Sequence, residues 1–335
     1  METSGILHQA VLIRNSWIAT GVCRMTLSSP ELAAAARPGQ FVMTSVSDNA
    51  DPFLRRPFSI ADIDRDEGSI SLIYQVVGKG TKQMADWKAG RAVGLLGPRG
   101  NGFSWDAGLR RAILVGGGLG VAALLPLAKE LRSQGIGITA FAGARSQDLL
   151  IGVQEFSDWG CSVQVATEDG SGNGAKGFVT LPLEAHLKGK IAVDDEDAVL
   201  VKDEPLGSGI TGSPGIIGRP GITGSPGITG KPGNLGSPGN PSSPGNSDSQ
   251  DRLGRPPTGL MLFACGPALF LKAVADISER YHIETQLSLE ERMGCGFGAC
   301  IGCSIQTRSD NDKTLQKRVC TDGPVFAARE VVFNG

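Results

Sequence analysis

Apolar and polar positions alternate in short runs through the first third of the chain, at residues 8–13, 21–27, 40–45, 57–61, 69–76 and 91–96. Turn residues separate the runs at regular spacing, and period-two alternation puts one face of each run in a core and the other in solvent. The pattern predicts a small antiparallel β-barrel over residues 1–105. From residue 106 the period changes. A short apolar run at 112–115 leads into the turn Gly116-Gly117-Gly118-Leu119-Gly120, and helical spacing follows at 121–134. A strand at 138–142, a helical stretch at 148–158 and a strand at 161–167 complete a βαβαβ order, which predicts an open parallel sheet. Past Thr180 the period is lost until an apolar strand at 260–264 and a helix that reaches Arg280.

The gap in periodicity is filled by an unusual composition. Glycine recurs at every third position from Gly209 to Gly239, with proline before it in alternate triplets at Pro214, Pro220, Pro226, Pro232 and Pro238. A collagen-like strand that trimerises is one reading of this repeat, and a low-complexity linker is the other. The host shows no threefold logic, and a segment so poor in apolar side chains cannot build a core, so the disordered linker is preferred. The expected class is therefore β plus α/β. It comprises a barrel at 1–105, a Rossmann-like parallel sheet at 106–284 interrupted by a disordered collagen-like insertion at 203–257, and a small cysteine-bearing domain at 285–335.

Length and charge narrow the functional classes. The 335 residues suffice for two or three domains with buried cores. A formal charge of -2 offers no electrostatic footprint for nucleic acid or an anionic membrane. The most apolar stretch, 112–128, is rich in glycine, flanked by Arg111 and Lys129, and too short to span a bilayer. Residues 1–11 lack a basic region followed by an apolar core, so no secretory signal is expected. The seven cysteines are mostly gathered in one place, which argues for a reducing compartment and a cytoplasmic location.

That gathering is the strongest chemical signal. Cys295, Cys300 and Cys303 fall within nine residues, interleaved with Gly294, Gly296, Gly298 and Gly302, and Cys320 follows. The run C-x4-C-x2-C with a fourth, separate cysteine is the plant-type spacing for a [2Fe-2S] cluster. Four thiolates must converge on two irons, and the glycines supply the tight turns and positive φ that such wrapping needs. A zinc site would usually show two short claws, and this chain has one. Such a cluster exchanges single electrons, so its neighbours must give and take them.

Two motifs in the barrel supply a neighbour. Arg56-Pro57-Phe58-Ser59 places a guanidinium, a ring and a hydroxyl along one strand, suited to a pyrophosphate and the edge of a flat heterocycle. Gly78-Lys79-Gly80-Thr81 forms a strand-to-helix turn whose amides suit a phosphate. Each alone is more often plain strand or plain turn. Together, upstream of a cluster loop, they point to a flavin. In the parallel sheet, Gly116, Gly117, Gly118 and Gly120 let a dinucleotide pyrophosphate approach the following helix, and Cys265-Gly266 ends a strand where a nicotinamide would sit. The acidic residue that usually holds the ribose is missing after the second strand, since 141–145 carries no carboxylate. Glu168 and Asp169 are alternative ribose contacts or an ordinary acidic turn, and NAD against NADP stays open.

This order of motifs resembles the ferredoxin-NADP reductase superfamily, over residues 5–190 and 258–330. Within it the chain is most similar to the electron-transfer subunits of type B dihydroorotate dehydrogenases, chiefly through EERMGCGFGACIGC and KRVCTDGPVF. The resemblance implies FAD in the barrel, held by Arg56, Pro57, Phe58, Ser59, Ile73, Tyr74, Gln75, Gly80 and Thr81. It implies a [2Fe-2S] cluster on Cys295, Cys300, Cys303 and Cys320, and NAD as electron acceptor near Gly118 and Cys265. It also implies a partner, an FMN-containing catalytic subunit that oxidises dihydroorotate in pyrimidine biosynthesis, in a heterotetramer of two of each. No general base from this chain is required. Alternatives are the corresponding subunit of a sulfide dehydrogenase or a ferredoxin-NADP oxidoreductase, and, more distantly, a collagen-like scaffold with a vestigial redox domain.

Overall fold

A computed structural model describes residues 7–47, 51–191, 259–309 and 311–333. The acidic residues at 194–197 and the glycine repeat at 209–239 lie outside the described residues. All six expected barrel strands form. They are β1 (Leu7–Ala19), β2 (Val22–Ser28), β3 (Phe41–Thr44), β4 (Arg56–Asp64), β5 (Ser69–Gln75) and β6 (Ala92–Arg99), with short helices α1 (Pro30–Ala35) and α2 (Lys79–Ala85) between them. They close in the order β1-β2-β5-β4-β3-β6, and every recorded pairing between them is antiparallel. Closure leaves no free edge, because β1 pairs with both β2 and β6. Inward positions such as Met25, Leu27, Val42, Ile60, Leu72 and Leu95 are fully buried and fill the interior.

The second layer is β7 (Arg111–Gly117), α3 (Val121–Ser133), β8 (Gly137–Ala144), α4 (Val153–Asp158), β9 (Ser162–Thr167), β10 (Ala175–Lys176), α5 (Thr180–Ile191), β11 (Leu260–Cys265), α6 (Ala268–Arg280) and β12 (Glu284–Ser288). The sheet runs β10-β9-β8-β7-β11-β12 in parallel. From β7 the chain winds to β8 on one side and later returns to β11 on the other. The topological switch point, where such sheets bind ligands, therefore lies at the carboxyl ends of β7 and β11, where Gly116 and Cys265 are in register.

The outer face of the barrel is shared with this layer. Val22, Ala61 and Ile73 join Val121, Leu125 and Phe263 in one core, where the rings of Phe103 and Phe263 meet edge to face at 5.5 Å. Lys129 on α3 bonds Asp62 on β4 at 2.9 Å, and Arg24 on β2 pairs with Glu155 on α4. The barrel and the sheet are thus held in fixed relative positions.

The remaining strands are β13 (Ser304–Arg308), β14 (Thr314–Arg318) and β15 (Val325–Ala327). β13 and β14 form an antiparallel hairpin, and β15 adds to the edge of the large sheet, antiparallel to β12. The sheet therefore continues past residue 285 into the cysteine-bearing segment. Helix α5 departs from the expected loss of structure after Thr180. Pro182 and Gly189 blur its pattern, yet proline is tolerated in a first turn, and Leu183 with Leu187 bury against Phe141 and Val179. The expected helix at 148–158 is shorter, reduced to Val153–Asp158 by a left-handed Gly152. No helix among the described residues is long and apolar enough to cross a membrane.

Candidate functional site

The β13–β14 hairpin explains how a cysteine distant in sequence reaches the loop. Ser304 pairs with Arg318, and the amide of Val319 donates to the carbonyl of Cys303 at 3.0 Å, so Cys320 returns beside Cys303. Their side chains interact, as do those of Cys295 and Cys300. All seven cysteines are free. Among the described residues no three His, Cys, Asp or Glu side chains gather around a single ion position. Two pairs of thiols are instead what a binuclear cluster takes from a protein, two for each iron.

The electrostatics of the loop favour thiolate at one end. Burial would raise the Cys295 thiol, but the amides of Phe297 and Cys300, the Cys300 side chain and the amide of Ala299 bring it down to about 6. The first two amides donate to Cys295 Sγ at 3.4 Å each. Burial, followed by the neighbouring Cys303, pushes Cys320 up to about 11. The Oγ1 of Thr321, next in sequence, is buried and has no hydrogen-bond partner among the described residues. Such an orphaned donor beside a thiol fits an inorganic sulfide or thiolate acceptor.

Gly296 and Gly298 take the expected positive φ, 76° and 86°. Gly294 and Gly302 do not; they leave room for Cys300, whose Sγ would lie 3.3 and 3.5 Å from a Cβ at either position. Ile301 carries a positive φ of 50° instead, backbone strain of the kind that concentrates at functional sites.

Sequence reasoning missed the clamp on this loop. Arg99, at the end of β6, donates its Nε to the carbonyl of Gly296 at 2.9 Å, and the Met43 side chain packs on the same glycine. Asn101 holds the other arm. It donates from Nδ2 to Val325 O at 2.8 Å and accepts from Val325 N at 3.0 Å. The barrel thus grips both arms of the cysteine site. Nothing in the local pattern marks these contacts, which join residues about two hundred positions apart.

On the barrel, Arg56, Pro57, Phe58 and Ser59 are all half-buried, an open strip along β4. Arg56 pairs in register with Thr44 on β3. Gly80 packs on Val46, two residues beyond Thr44, so the turn before α2 and Arg56 share one end of the barrel. The Thr81 hydroxyl accepts the amides of Val77 and Gly78 at 3.0 and 3.1 Å, which fixes that turn. Tyr74 points inward, its ring against Phe58 at 5.6 Å and its hydroxyl donating to Asn15. Ile73 is buried in the core shared with the sheet, and Gln75 is exposed.

In the sheet the glycines separate by role. A Cβ at Gly120 would meet the carbonyl of Cys265 at 2.1 Å, one at Gly116 would strike Val121 at 2.5 Å, and Gly117 and Gly266 pack on the ring of Phe270. Only Gly118 of the turn is left-handed, with φ 56° and open space around it. This turn lies against β5. The Cys265 side chain is fully buried, and burial raises its thiol, with the nearby Glu290 adding to the effect and Ser288 opposing it. Asp169 stands exposed past the end of β9, and hydrogen bonds from the Ser171 side chain and amide hold its carboxyl below the usual range. A cavity of about 490 Å³ opens beside Gly266, between Glu290 and the β13–β14 hairpin. Glu290 is exposed and lines that cavity, and the protein packed around it raises its carboxyl.

Comparison with known proteins gives the family. The family model for the iron-sulfur cluster binding domain of dihydroorotate dehydrogenase B matches residues 290–332. The chain is similar to the structure of a NADH-dependent reduced ferredoxin-NADP oxidoreductase, with a TM-score of 0.67 and 25% identity over 99% of this chain and 92% of that one. It is 34% identical to the dihydroorotate dehydrogenase B (NAD(+)) electron transfer subunit of Bacillus caldolyticus, over 94% of this chain and 95% of the relative. With the subunit of the same name from Geobacillus sp. (strain WCH70) identity is 35%, covering 97% of this chain and 98% of that protein, and the chain therefore belongs to the dihydroorotate dehydrogenase B electron transfer subunit family.

Proposed function

We propose that this chain is the redox partner of an FMN-containing catalytic subunit that oxidises dihydroorotate to orotate, and that it delivers the resulting electrons to NAD+ in pyrimidine biosynthesis. The observation that carries the reading is the grip of the flavin-type barrel on both arms of a two-pair cysteine site. When bound, a [2Fe-2S] cluster supplies one-electron exchange and FAD supplies the change from single electrons to a hydride.

The chain's own residues bind and orient. Cys295 with Cys300, and Cys303 with Cys320, would hold one iron each; the amides at Cys295 and the Thr321 hydroxyl offset the sulfur charge. Arg56, Phe58, Ser59 and the Gly80-Thr81 turn, at one end of the barrel, fit the FAD pyrophosphate and ring edge, with Ile73, Tyr74 and Gln75 supplying the wall of β5. Gly118 would receive the NAD pyrophosphate. Because the Cys265 sulfur is buried, a nicotinamide at that strand end meets backbone rather than thiol. Asp169 fits the adenosine ribose hydroxyls. The free thiols fit a cytoplasmic compartment, and the assembly is a heterotetramer of two of each subunit.

The test is reconstitution with a dihydroorotate-oxidising FMN subunit. Dihydroorotate-dependent reduction of NAD+ should require both proteins and both loaded cofactors. Absence of that activity in a mixture with full iron and flavin would overturn the reading.

A further inference from the structure

Arg99 is a cation whose charge the described residues do not balance. It is 6% exposed, and its Nε is engaged by the Gly296 carbonyl at 2.9 Å. None of the ion pairs among the described residues involves it, and its other guanidinium nitrogens, which keep what little solvent surface the residue has, bond none of those residues. A buried charge without a counter-ion is strongly unfavourable. The carbonyl it grips lies between Cys295 and Cys300, where thiolates would carry negative charge.

Arg318 is the contrast. It also bonds the loop, through Gly298 O at 2.8 Å, but it is 41% exposed and has Asp322 at 3.6 Å to offset its charge.

We propose that Arg99 is a positioning residue and the fixed counter-charge of the cluster site, holding the Cys295 arm against the barrel and raising the reduction potential of the bound cluster. This rests on the cluster assignment above. Each electron from the partner's flavin adds one negative charge at the site and leaves again toward FAD. Arg99 makes and breaks no bond in this exchange. With an effective dielectric constant of about 20, a unit cation roughly 12 Å from the added electron shifts a one-electron equilibrium by about tenfold.

The test is a redox titration followed by electron paramagnetic resonance of the purified, loaded chain and two variants. Arg99→Gln keeps a donor for Gly296 but no charge, and Arg99→Lys keeps the charge. With iron and flavin contents equal to the parent, Arg99→Gln should lower the midpoint by about 60 mV, the tenfold shift for one electron. Arg99→Lys should stay near the parent, and Arg318→Gln should move it far less than Arg99→Gln does. An unchanged midpoint in a fully loaded Arg99→Gln overturns the proposal. Loss of iron from both Arg99 variants overturns it too, because the residue would then only brace the loop. A parent chain that binds no iron would instead overturn the cluster assignment itself.

Discussion

Met43 lies so close to the backbone of Gly296 that a Cβ on residue 296 would sit 2.4 Å from Met43 Cγ. The barrel and the cysteine loop are therefore in van der Waals contact beside Cys295. Gly296→Ala must either displace Met43 or move the loop, and alanine at φ 76° adds roughly 1–2 kcal/mol of backbone strain. We expect iron per polypeptide to fall by at least half while flavin content holds, as measured by iron assay and absorbance. Full iron retention would show that this contact is not tight.

The sequence made the local parts of this site legible and left the joints hidden. Strands β1 to β6 follow from alternation, and the cysteine spacing follows from the loop itself. Arg99, Asn101 and Met43 carry no local signal, because their meaning comes from a partner segment far along the chain. The same is true of β15: three residues, 325–327, cannot announce that they will pair with β12. Helix α5 was hidden for a different reason, since Pro182 and Gly189 interrupt the spacing that tertiary packing of Leu183 and Leu187 then overrides.

Gly118 and Gly120 should respond differently to the same substitution. Gly120→Ala places a methyl into the Cys265 carbonyl, and neither partner is a flexible side-chain end. We expect poor expression or a thermal midpoint lowered by many degrees. Gly118→Ala has open space, so the chain should fold with a cost of roughly 1–2 kcal/mol. Its defect should appear in a raised KM for NAD+ with the FAD spectrum unchanged. A Gly118→Ala enzyme with normal KM would remove this turn from the nucleotide site.

The union of barrel and sheet rests on apolar packing rather than on its ion pairs. Phe263 is fully buried against Phe103, so Phe263→Ala should lose about 3–5 kcal/mol in denaturant unfolding. Lys129→Met breaks an ion pair whose members are 41% and 36% exposed, and it should cost no more than about 1 kcal/mol. The reverse ranking would mean that polar contacts hold the two layers together.

The thiols of the iron-free protein should titrate in a fixed order. Cys295, held at about 6 by the loop amides, is largely thiolate at pH 7, whereas Cys320, at about 11, is not. Iodoacetamide reacts with thiolate, so at pH 7 peptide mapping should find Cys295 alkylated well before Cys320. The same shifts fix the sign of the stability change. The lowered Cys295 value favours folding above the ordinary thiol range, and that contribution is lost as pH falls through 6. The raised Cys320 value favours folding below that range, and its contribution is lost as pH rises toward 11. Loop stability in the iron-free chain should therefore climb from pH 6 to about 9 and decline beyond it. Hydrogen exchange of the Phe297 and Cys300 amides across that interval reads it directly. Flat protection would mean that those amides do not hold the Cys295 thiolate.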